Sequence, residues 1–229
     1  MHSSKKLRRI SVILLAIVIF IWFYFELTNV QNFPIKTVQV KGNYPHVSTI
    51  VLQDAIKPFV KVSFFALQAT DLQSQLQQLP WIASVNVRRI FPSTLIITLQ
   101  EKQPVAIWNN SALLTKDGIL FSPAKDTYPK NLPYLNGPND EDQHLLSTMQ
   151  KINDMFRPLN LTVQQLILSP RQSWQLVLSN GITVTIGQRD IWLRLQQLIT
   201  VFPKIIGNNE NKVVSIDLRY PNGIAIKWK

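Results

Sequence analysis

The sequence predicts an α+β protein in which one N-terminal membrane-spanning helix precedes two folded units outside the membrane. Three observations lead to this prediction. A basic tail runs into a long apolar stretch, residues 35–101 mix strand and helix patterns, and residues 102–229 hold many short strand patterns separated by turn residues. With 229 residues, of which 46% are hydrophobic, the chain is long enough to bury two cores.

The predicted membrane helix covers residues 10–27 and follows a cytoplasmic tail, residues 1–9. Every residue from Ile10 to Phe25 except Ser11 is apolar or aromatic, and the cations of the tail favour the cytoplasmic side. This stretch rises only about 24 Å as a helix, so flanking residues must complete a hydrocarbon core of about 30 Å. A cleaved signal peptide has a similar pattern, but no small-x-small cleavage site follows the run, which favours a retained anchor.

Residues 35–101 are predicted to fold in the order strand, helix, helix, strand, strand. The first strand ends at Gly42, the first helix ends at Pro58, and Thr70 with Gln73 is expected to form a capping box on the second helix. Helices on one face of a three-stranded sheet are therefore expected. The side chains expected to point inward are Val38, Val40, Leu52, Ala55, Ile56, Phe59, Leu72, Leu76, Leu79, Ala83, Val85, Val87, Leu95, Ile97 and Leu99.

Residues 102–229 are predicted to form a larger unit, a mixed β-sheet with flanking helices. Short strands precede a helix at 140–157, a hairpin turns at Asn180-Gly181, a second helix follows, and the last two strands meet at Asn222-Gly223. The expected apolar positions are Leu145, Met149, Ile152 and Phe156 on the first helix, Ile191, Leu195, Leu198 and Phe202 on the second, and Val214, Ile216, Leu218 and Tyr220 on one side of the strand at 213–220.

The residues that would carry catalysis or bind a metal do not cluster in the sequence. There is no cysteine, and His2, His46 and His144 lack a second ligand at metal-binding spacing. The acidic run at 140–142 suits the positive end of a helix, and no Gly-rich loop or nucleophile elbow occurs. We therefore expect no enzyme activity, no cofactor, no metal and no small-molecule substrate.

The chain carries a formal net charge of +11, four charges of which come from Lys5, Lys6, Arg8 and Arg9. Net charge sets long-range attraction without naming a partner. No basic helix or interleaved aromatic motif points to nucleic acid, so we expect no nucleic-acid partner.

The last seven residues, GIAIKWK, alternate in the manner of a strand with one face against a core. An unpaired edge strand is a template for a further strand, and the lysines would discourage self-pairing while attracting an acidic partner. An interior strand, or an edge that pairs with nothing, would show the same alternation. Proline at Ala225 is expected to remove a donor from this edge without emptying the core.

Several stretches together resemble the FtsQ/DivIB family of bacterial cell division proteins. They are VQVKG, LPWI, VNVRRIFPSTLIITLQEKQPVAIW, KDGILF, LPYLNGP, SPRQSWQLVLSNGITVTIG and IDLRYPNGIAIKW, and their order and spacing span nearly the whole chain. The resemblance implies that residues 35–101 are a POTRA domain and that residues 102–229 are the β domain of the family.

The resemblance also implies a function. Members are non-enzymatic scaffolds of the inner membrane of Gram-negative bacteria, single-pass, with the C-terminus in the periplasm and a place at the division septum. They bind the periplasmic segments of FtsB and FtsL among other divisome proteins, with FtsB held by strand addition. The positions that correspond to this partner site are Arg171, Arg219, Tyr220, Gly223, Ile224, Ala225, Ile226 and Trp228. Pro221-Asn222 departs from the smaller turn that is usual there.

Two other functions fit an anchored extracytoplasmic chain with exposed aromatic residues. A membrane-tethered periplasmic wall-binding or wall-processing protein would need a cleft, with paired titratable groups if it is an enzyme. A chaperone of the outer-membrane export type usually repeats the POTRA unit or continues into a barrel, whereas the pattern occurs once here.

Overall fold

The fold is α+β, as predicted, in a computed structural model that describes residues 3–220 and 223–229. The chain divides into two compact units, Met1–Lys102 and Gln103–Lys229. Each unit has its own sheet and its own buried apolar cluster.

Helix α1 runs from Ser3 to Thr28. Its segment Ser11–Thr28 is long and apolar enough to cross a membrane, and its side chains are almost entirely uncovered by the described protein. A helix that is apolar on every side and bare of protein contacts is suited to lipid rather than water. The helix ends where Thr28 bonds back to the carbonyl oxygens of Tyr24 and Phe25.

The first unit follows the predicted order of strand, helix, helix, strand, strand. Within the described residues its sheet has the order β1-β3-β2, with β1 parallel and β2 antiparallel to the central β3. Ser48 caps the helix that begins at Thr49 by accepting a hydrogen bond from the Ile50 amide. The elements are β1 (Thr37–Asn43), α2 (Thr49–Ile56), α3 (Ala69–Gln77), β2 (Ile82–Ile90) and β3 (Thr94–Glu101).

Two predictions for this unit are wrong. Gln68 occupies the N-cap of α3 without a side-chain cap bond, and Thr70 lies inside the helix, because α3 begins directly after buried Leu67. Ala83 is exposed, because the pairing of β2 with β3 shifts between Ile82 and Ser84 and makes Ala83 the extra residue of a bulge. The inward positions of the regular strand β3, namely Leu95, Ile97 and Leu99, are fully buried as predicted.

Glu101, the last residue of β3, is buried and holds the loop before α2. Its carboxylate accepts the His46 backbone amide at 2.9 Å and faces His46 Nδ1 at 2.8 Å, while the His46 ring stacks on Trp81 at 4.1 Å. The carboxylate therefore ties the far end of β1 to the centre of the sheet.

We expect Glu101→Ala to reduce the free energy of unfolding of the first unit by about 1–3 kcal/mol, because it leaves the part-buried amide and imidazole of His46 without the Glu101 carboxylate. Hydrogen–deuterium exchange of the full chain checks this, with faster exchange in residues 43–48 and β3. The exposed neighbour Gln100 gives the control Gln100→Ala, for which little change is expected. Equal exchange in both variants would contradict the prediction.

The second unit contains a mixed sheet which, over the described residues, has nine strands in the order β12-β11-β10-β9-β8-β7-β4-β5-β6. Pairing is antiparallel except for β4–β7, β7–β8 and β10–β11, which are parallel. The strands are β4 (Pro104–Trp108), β5 (Ala112–Thr115), β6 (Leu120–Phe121), β7 (Tyr134–Asn136), β8 (Val163–Leu168), β9 (Trp174–Leu178), β10 (Thr183–Gly187), β11 (Val213–Asp217) and β12 (Ala225–Trp228).

Two helices, α4 (Asp142–Phe156) and α5 (Ile191–Ile205), carry the apolar stripes that bury the core of this unit. All four predicted stripe residues of α4 are buried, and on α5 Ile191 is only partly buried. A row of side chains across the sheet remains partly or fully exposed, and it comprises Tyr134, Gln165, Val177, Thr183, Ser215 and Lys227. Strand β8 was not predicted, because its adjacent Gln164 and Gln165 interrupt the apolar alternation.

The predicted inward face of the strand at 213–220 is only half right. The pairing of β11 with β12 shifts between Val213 and Ser215, so Val213 is buried while Val214 is 39% exposed. Ile216 and Leu218 are buried as predicted. Tyr220 lies beyond the end of β11 and is 59% exposed.

Candidate functional site at the sheet edge

Strand β12 is the outermost strand of the large sheet. It pairs antiparallel with β11, and no strand within residues 3–220 and 223–229 lies on its other side. An outermost strand leaves alternate N–H and C=O groups without a partner in its own sheet. Position in the sheet therefore makes β12 a candidate for pairing with another chain.

The direction of each backbone group in β12 follows from one hydrogen bond at its end. The Lys229 amide donates to the Lys212 carbonyl oxygen at 2.7 Å, so Lys229 faces β11. The extra residue of the bulge lies in β11, so β12 alternates without interruption. Ala225 and Lys227 thus also face β11, and the N–H and C=O groups of Ile226 and Trp228 face outward.

This geometry corrects the expectation for proline at Ala225. Ala225 pairs with Asp217, and its N–H points into the sheet. Proline at this position would remove a hydrogen bond between β11 and β12 and would leave the outward-facing backbone groups of β12 in place. The position that tests the edge is Ile226.

The side chains of β12 leave apolar surface beside these free groups. Ile224 and Ile226 pack partly against the core, but Trp228 is 43% exposed. Ala225 and Lys227 are also exposed, as is Lys229 after the strand. An added strand would therefore lie next to an indole ring and two cations.

Arg219 is held in a defined position next to the end of β11. The Asp217 carboxylate accepts hydrogen bonds from the Arg219 backbone N–H at 2.9 Å, from Nε at 3.0 Å and from Nη2 at 2.6 Å. The aliphatic part of Arg219 passes over Gly187, where an added Cβ would come within 3.2 Å of it. Gly187 also has φ +93°, so both the positive φ and the close contact with Arg219 favour glycine at this position.

The hydrogen bond from Arg219 holds the pKa of Asp217 below its ordinary value of 3.8. A carboxyl group with a lower pKa in the folded chain stabilises the fold above its ordinary pKa, and that contribution disappears as the pH falls through the folded value. We expect the difference in unfolding free energy between the native chain and Asp217→Asn to stay constant from about pH 8 to about pH 5 and to shrink below about pH 4.

Urea denaturation of the full chain in detergent at several pH values checks this prediction. Asp154→Asn is the control, because Asp154 pairs with Arg157 on α4, where both side chains are largely exposed. A difference between the native chain and Asp217→Asn that stays constant through about pH 3 would contradict the assigned pairing of Asp217 with Arg219.

The structure brings Arg171 to the same end of the sheet as Arg219. The Arg171 carbonyl oxygen accepts a hydrogen bond from the Gln188 side chain at 2.7 Å, and Gln188 directly follows Gly187. Arg171 itself is exposed. The end of the sheet where β12 begins therefore carries two exposed cations, Arg219 just beyond the end of β11 and Arg171 in the turn between β8 and β9, at least three inter-strand steps from β12.

Of the other predicted site residues, Tyr220 and Gly223 are exposed beside this end. The turn residues Pro221 and Asn222 lie outside the described residues. Sequence reasoning missed Gln188, which bonds to the Arg171 backbone carbonyl, and Asp217, which holds the Arg219 side chain. The signal for Asp217 is its place two residues before Arg219 at a strand end, where an aspartate commonly accepts the backbone amide two residues on.

Metal-binding side chains do not cluster in the described residues. No three His, Asp or Glu side chains in those residues are placed to hold a metal ion. A pocket of about 640 Å³ lies at the start of β7 and β8, and its titratable lining residues are Lys130 and Tyr134. Its other polar side chains are Asn131, Asn153, Thr162, Gln164 and Gln165.

Comparison with known proteins gives two family matches that together cover most of the chain. Residues 106–219 match the model described as "Cell division protein FtsQ/DivIB, C-terminal", and residues 33–102 match "POTRA domain, FtsQ-type". The protein named cell division protein FtsQ from Coxiella burnetii is 36% identical over 100% of this chain and 94% of its own length. Proteins of the same name are 33% identical in Shewanella oneidensis, over 88% of this chain and 77% of the relative, and 27% identical in Neisseria gonorrhoeae, over 99% and 93%.

Proposed function

Because the chain belongs to the FtsQ/DivIB family of bacterial cell division proteins, we propose that it is a non-enzymatic scaffold of the divisome, anchored in the inner membrane by α1. Its N-terminus lies in the cytoplasm, its C-terminus lies in the periplasm, and it acts at the division septum. It binds the periplasmic segments of FtsB and FtsL and so links early and late division proteins.

The partner is held by strand addition at β12. The observation that carries this proposal is the outward direction of the N–H and C=O groups of Ile226 and Trp228 on the outermost strand. An incoming strand would continue the ladder and cover the exposed part of the Trp228 ring. The proposed contact residues are Arg171, Arg219, Tyr220, Gly223, Ile224, Ala225, Ile226 and Trp228.

Charge favours an acidic partner strand. Arg171, Lys227 and Lys229 are exposed, and Arg219 is exposed with its Nε and Nη2 already directed at Asp217. Like-charge repulsion would disfavour pairing between two copies of β12, whereas carboxylates on a partner would be attracted. Rising salt should weaken binding, since these charges are solvent-exposed.

The test is binding of the full chain in nanodiscs to the periplasmic segments of FtsB and FtsL. We expect a complex in which the amides of Ile226 and Trp228 become protected from hydrogen exchange. Strand β6, at the opposite edge of the sheet, is an internal control whose amide exchange should not change. Formation of the complex without protection at β12 would overturn strand addition, and failure to bind either segment would overturn the partner assignment.

Wall-glycan binding is a second candidate, and the pocket at β7 and β8 is the observation that favours it. The side-chain amides of Asn131, Gln164 and Gln165 have no hydrogen-bond partner among the described residues, and they surround a pocket edged by Tyr134, which is 41% exposed. Free amides beside an aromatic ring suit the hydroxyl groups and apolar faces of sugars. Titration of the full chain with an N-acetylglucosamine tetrasaccharide tests this function, with Gln165→Ala as the matched variant. Heat of binding that the variant abolishes would support it, and its absence at millimolar sugar would exclude it.

A further inference from the structure

A patch of apolar side chains is exposed at one end of the first unit. It comprises Phe33, Phe65 and Phe91, which we call the aromatic patch. Phe65 is 42% exposed and Phe91 is 68% exposed, while Phe33 is half-buried. The Phe65 ring lies 5.0 Å from that of Phe33 and 6.4 Å from that of Phe91, so the exposed surface is contiguous.

The patch is built on a fixed support. Buried Phe64 lies beneath it, with its ring 5.4 Å from that of Phe65 and 6.2 Å from that of Phe91. The Arg89 guanidinium donates to the carbonyl oxygens of Phe64 and Leu67, each at 3.2 Å, and so joins this loop to β2. The exposed rings are therefore part of an ordered surface.

The patch lies directly beside the end of α1. The Ser63 hydroxyl donates to the Leu27 carbonyl oxygen at 2.6 Å, and the Phe64 amide donates to the Phe33 carbonyl oxygen at 2.8 Å. Phe65 is two residues from Ser63, and two residues span at most about 7 Å. The patch therefore begins roughly 10 Å from the last turn of the helix.

The length of α1 places that last turn at the boundary of the hydrocarbon. The apolar segment Ser11–Thr28 rises about 27 Å, which is slightly less than a hydrocarbon core of about 30 Å. The whole segment is therefore needed to cross the hydrocarbon. Headgroups extend the bilayer by about 5–8 Å on each side, and interfacial apolar groups sink about 5–10 Å into the headgroup and acyl boundary. The patch begins at most roughly 10 Å from this boundary, so it can reach the headgroup layer.

We propose that the first unit rests on the outer surface of the membrane, with the aromatic patch inserted among the lipid headgroups. The proposal depends on α1 spanning the membrane, which is part of the proposed function. Phenylalanine is among the residues that interfacial segments bury at this depth, and a contiguous apolar patch is otherwise unfavourable in water. Exposed Lys36 and Lys61 lie close to the patch along the chain, since Lys36 is three residues from Phe33 and Lys61 is two residues from Ser63. Their ammonium groups suit lipid phosphates.

Single nitroxide labels test the proposal, because the chain has no cysteine and each variant carries one label. Phe91→Cys reports on the patch in the full chain in phosphatidylcholine nanodiscs. Ile50→Cys is the matched control, since Ile50 is 70% exposed and lies beyond the other end of β1, about 20 Å away. Ile17→Cys reports on the middle of α1.

We expect the ratio of accessibility to oxygen over a water-soluble nickel chelate to be several-fold higher at Phe91→Cys than at Ile50→Cys, and highest at Ile17→Cys. Phe65→Cys is a second patch label, in case the Phe91 variant folds poorly. Equal ratios at positions 91 and 50, with lipid exposure at 17, would overturn the inference and leave the membrane span intact. Water exposure at 17 would overturn the span itself, and a patch label shielded from both reagents would show that protein, such as a second copy, covers the patch instead of lipid.

Discussion

Replacing Ile226 by proline is expected to abolish tight binding of a partner strand, while Ile226→Ala is expected to weaken it only modestly. Both variants shorten the side chain, but only proline removes the outward N–H and places its ring where an added strand would lie. An acceptor left without its donor in the complex costs about 1–3 kcal/mol, which is roughly 5- to 150-fold in Kd. Titration of the full chain in nanodiscs with the periplasmic segment of FtsB measures the difference.

Ala225→Pro is the control for backbone direction. The Ala225 amide faces β11, so proline there should loosen the chain's own edge and speed hydrogen exchange in β11 before any partner is added. Ile226→Pro should leave that exchange nearly unchanged, since proline is tolerated at an edge where its nitrogen faces solvent. If the Ile226 proline and alanine variants bound the partner equally well, backbone pairing at this edge would be excluded.

Replacing Gly42 by alanine is expected to disrupt the sheet of the first unit. Gly42 lies in β1 opposite Leu99 with φ +122°, and an added Cβ would stand 2.1 Å from the Leu99 carbonyl oxygen. That oxygen belongs to the central strand, which β1 and β2 hold from both sides, so it cannot move away. Backbone strain of about 1–3 kcal/mol adds to the clash, and we expect a total loss of at least about 3 kcal/mol.

Gly181→Ala is the matched comparison for Gly42→Ala. Gly181 also has positive φ, at +84°, but an added Cβ there would meet nothing within 4 Å. Only the conformational cost of about 1–2 kcal/mol should then appear. Urea denaturation and hydrogen exchange of β1 and β3 measure both variants, and a smaller loss for Gly42→Ala than for Gly181→Ala would contradict the close contact with Leu99.

The sequence predicted the fold well wherever a strand or helix alternates without irregularity. The buried positions of β3 and of α4 follow directly from their spacing. Errors arose where one extra residue enters a strand, at Ala83 in β2 and at Val214 in β11. A bulge depends on the pairing partner, which the residues of a single strand do not specify.

The candidate site was predictable only in part for the same reason. Alternation in the last residues indicates a strand, and the family resemblance indicates which positions are expected to contact a partner. Which amide faces outward depends on the bond between Lys229 and Lys212, and no pattern within the last seven residues reports it. The support of Arg171 by Gln188 likewise joins residues that are far apart in sequence.

The order of strands has a consequence for the covalent link between the first unit and the large sheet. The connection from the first unit enters the large sheet at β4, and six inter-strand steps separate β4 from β12, which is about 29 Å at the usual spacing. A strand added at β12 would therefore lengthen the sheet far from β4, the strand that receives the chain from the first unit.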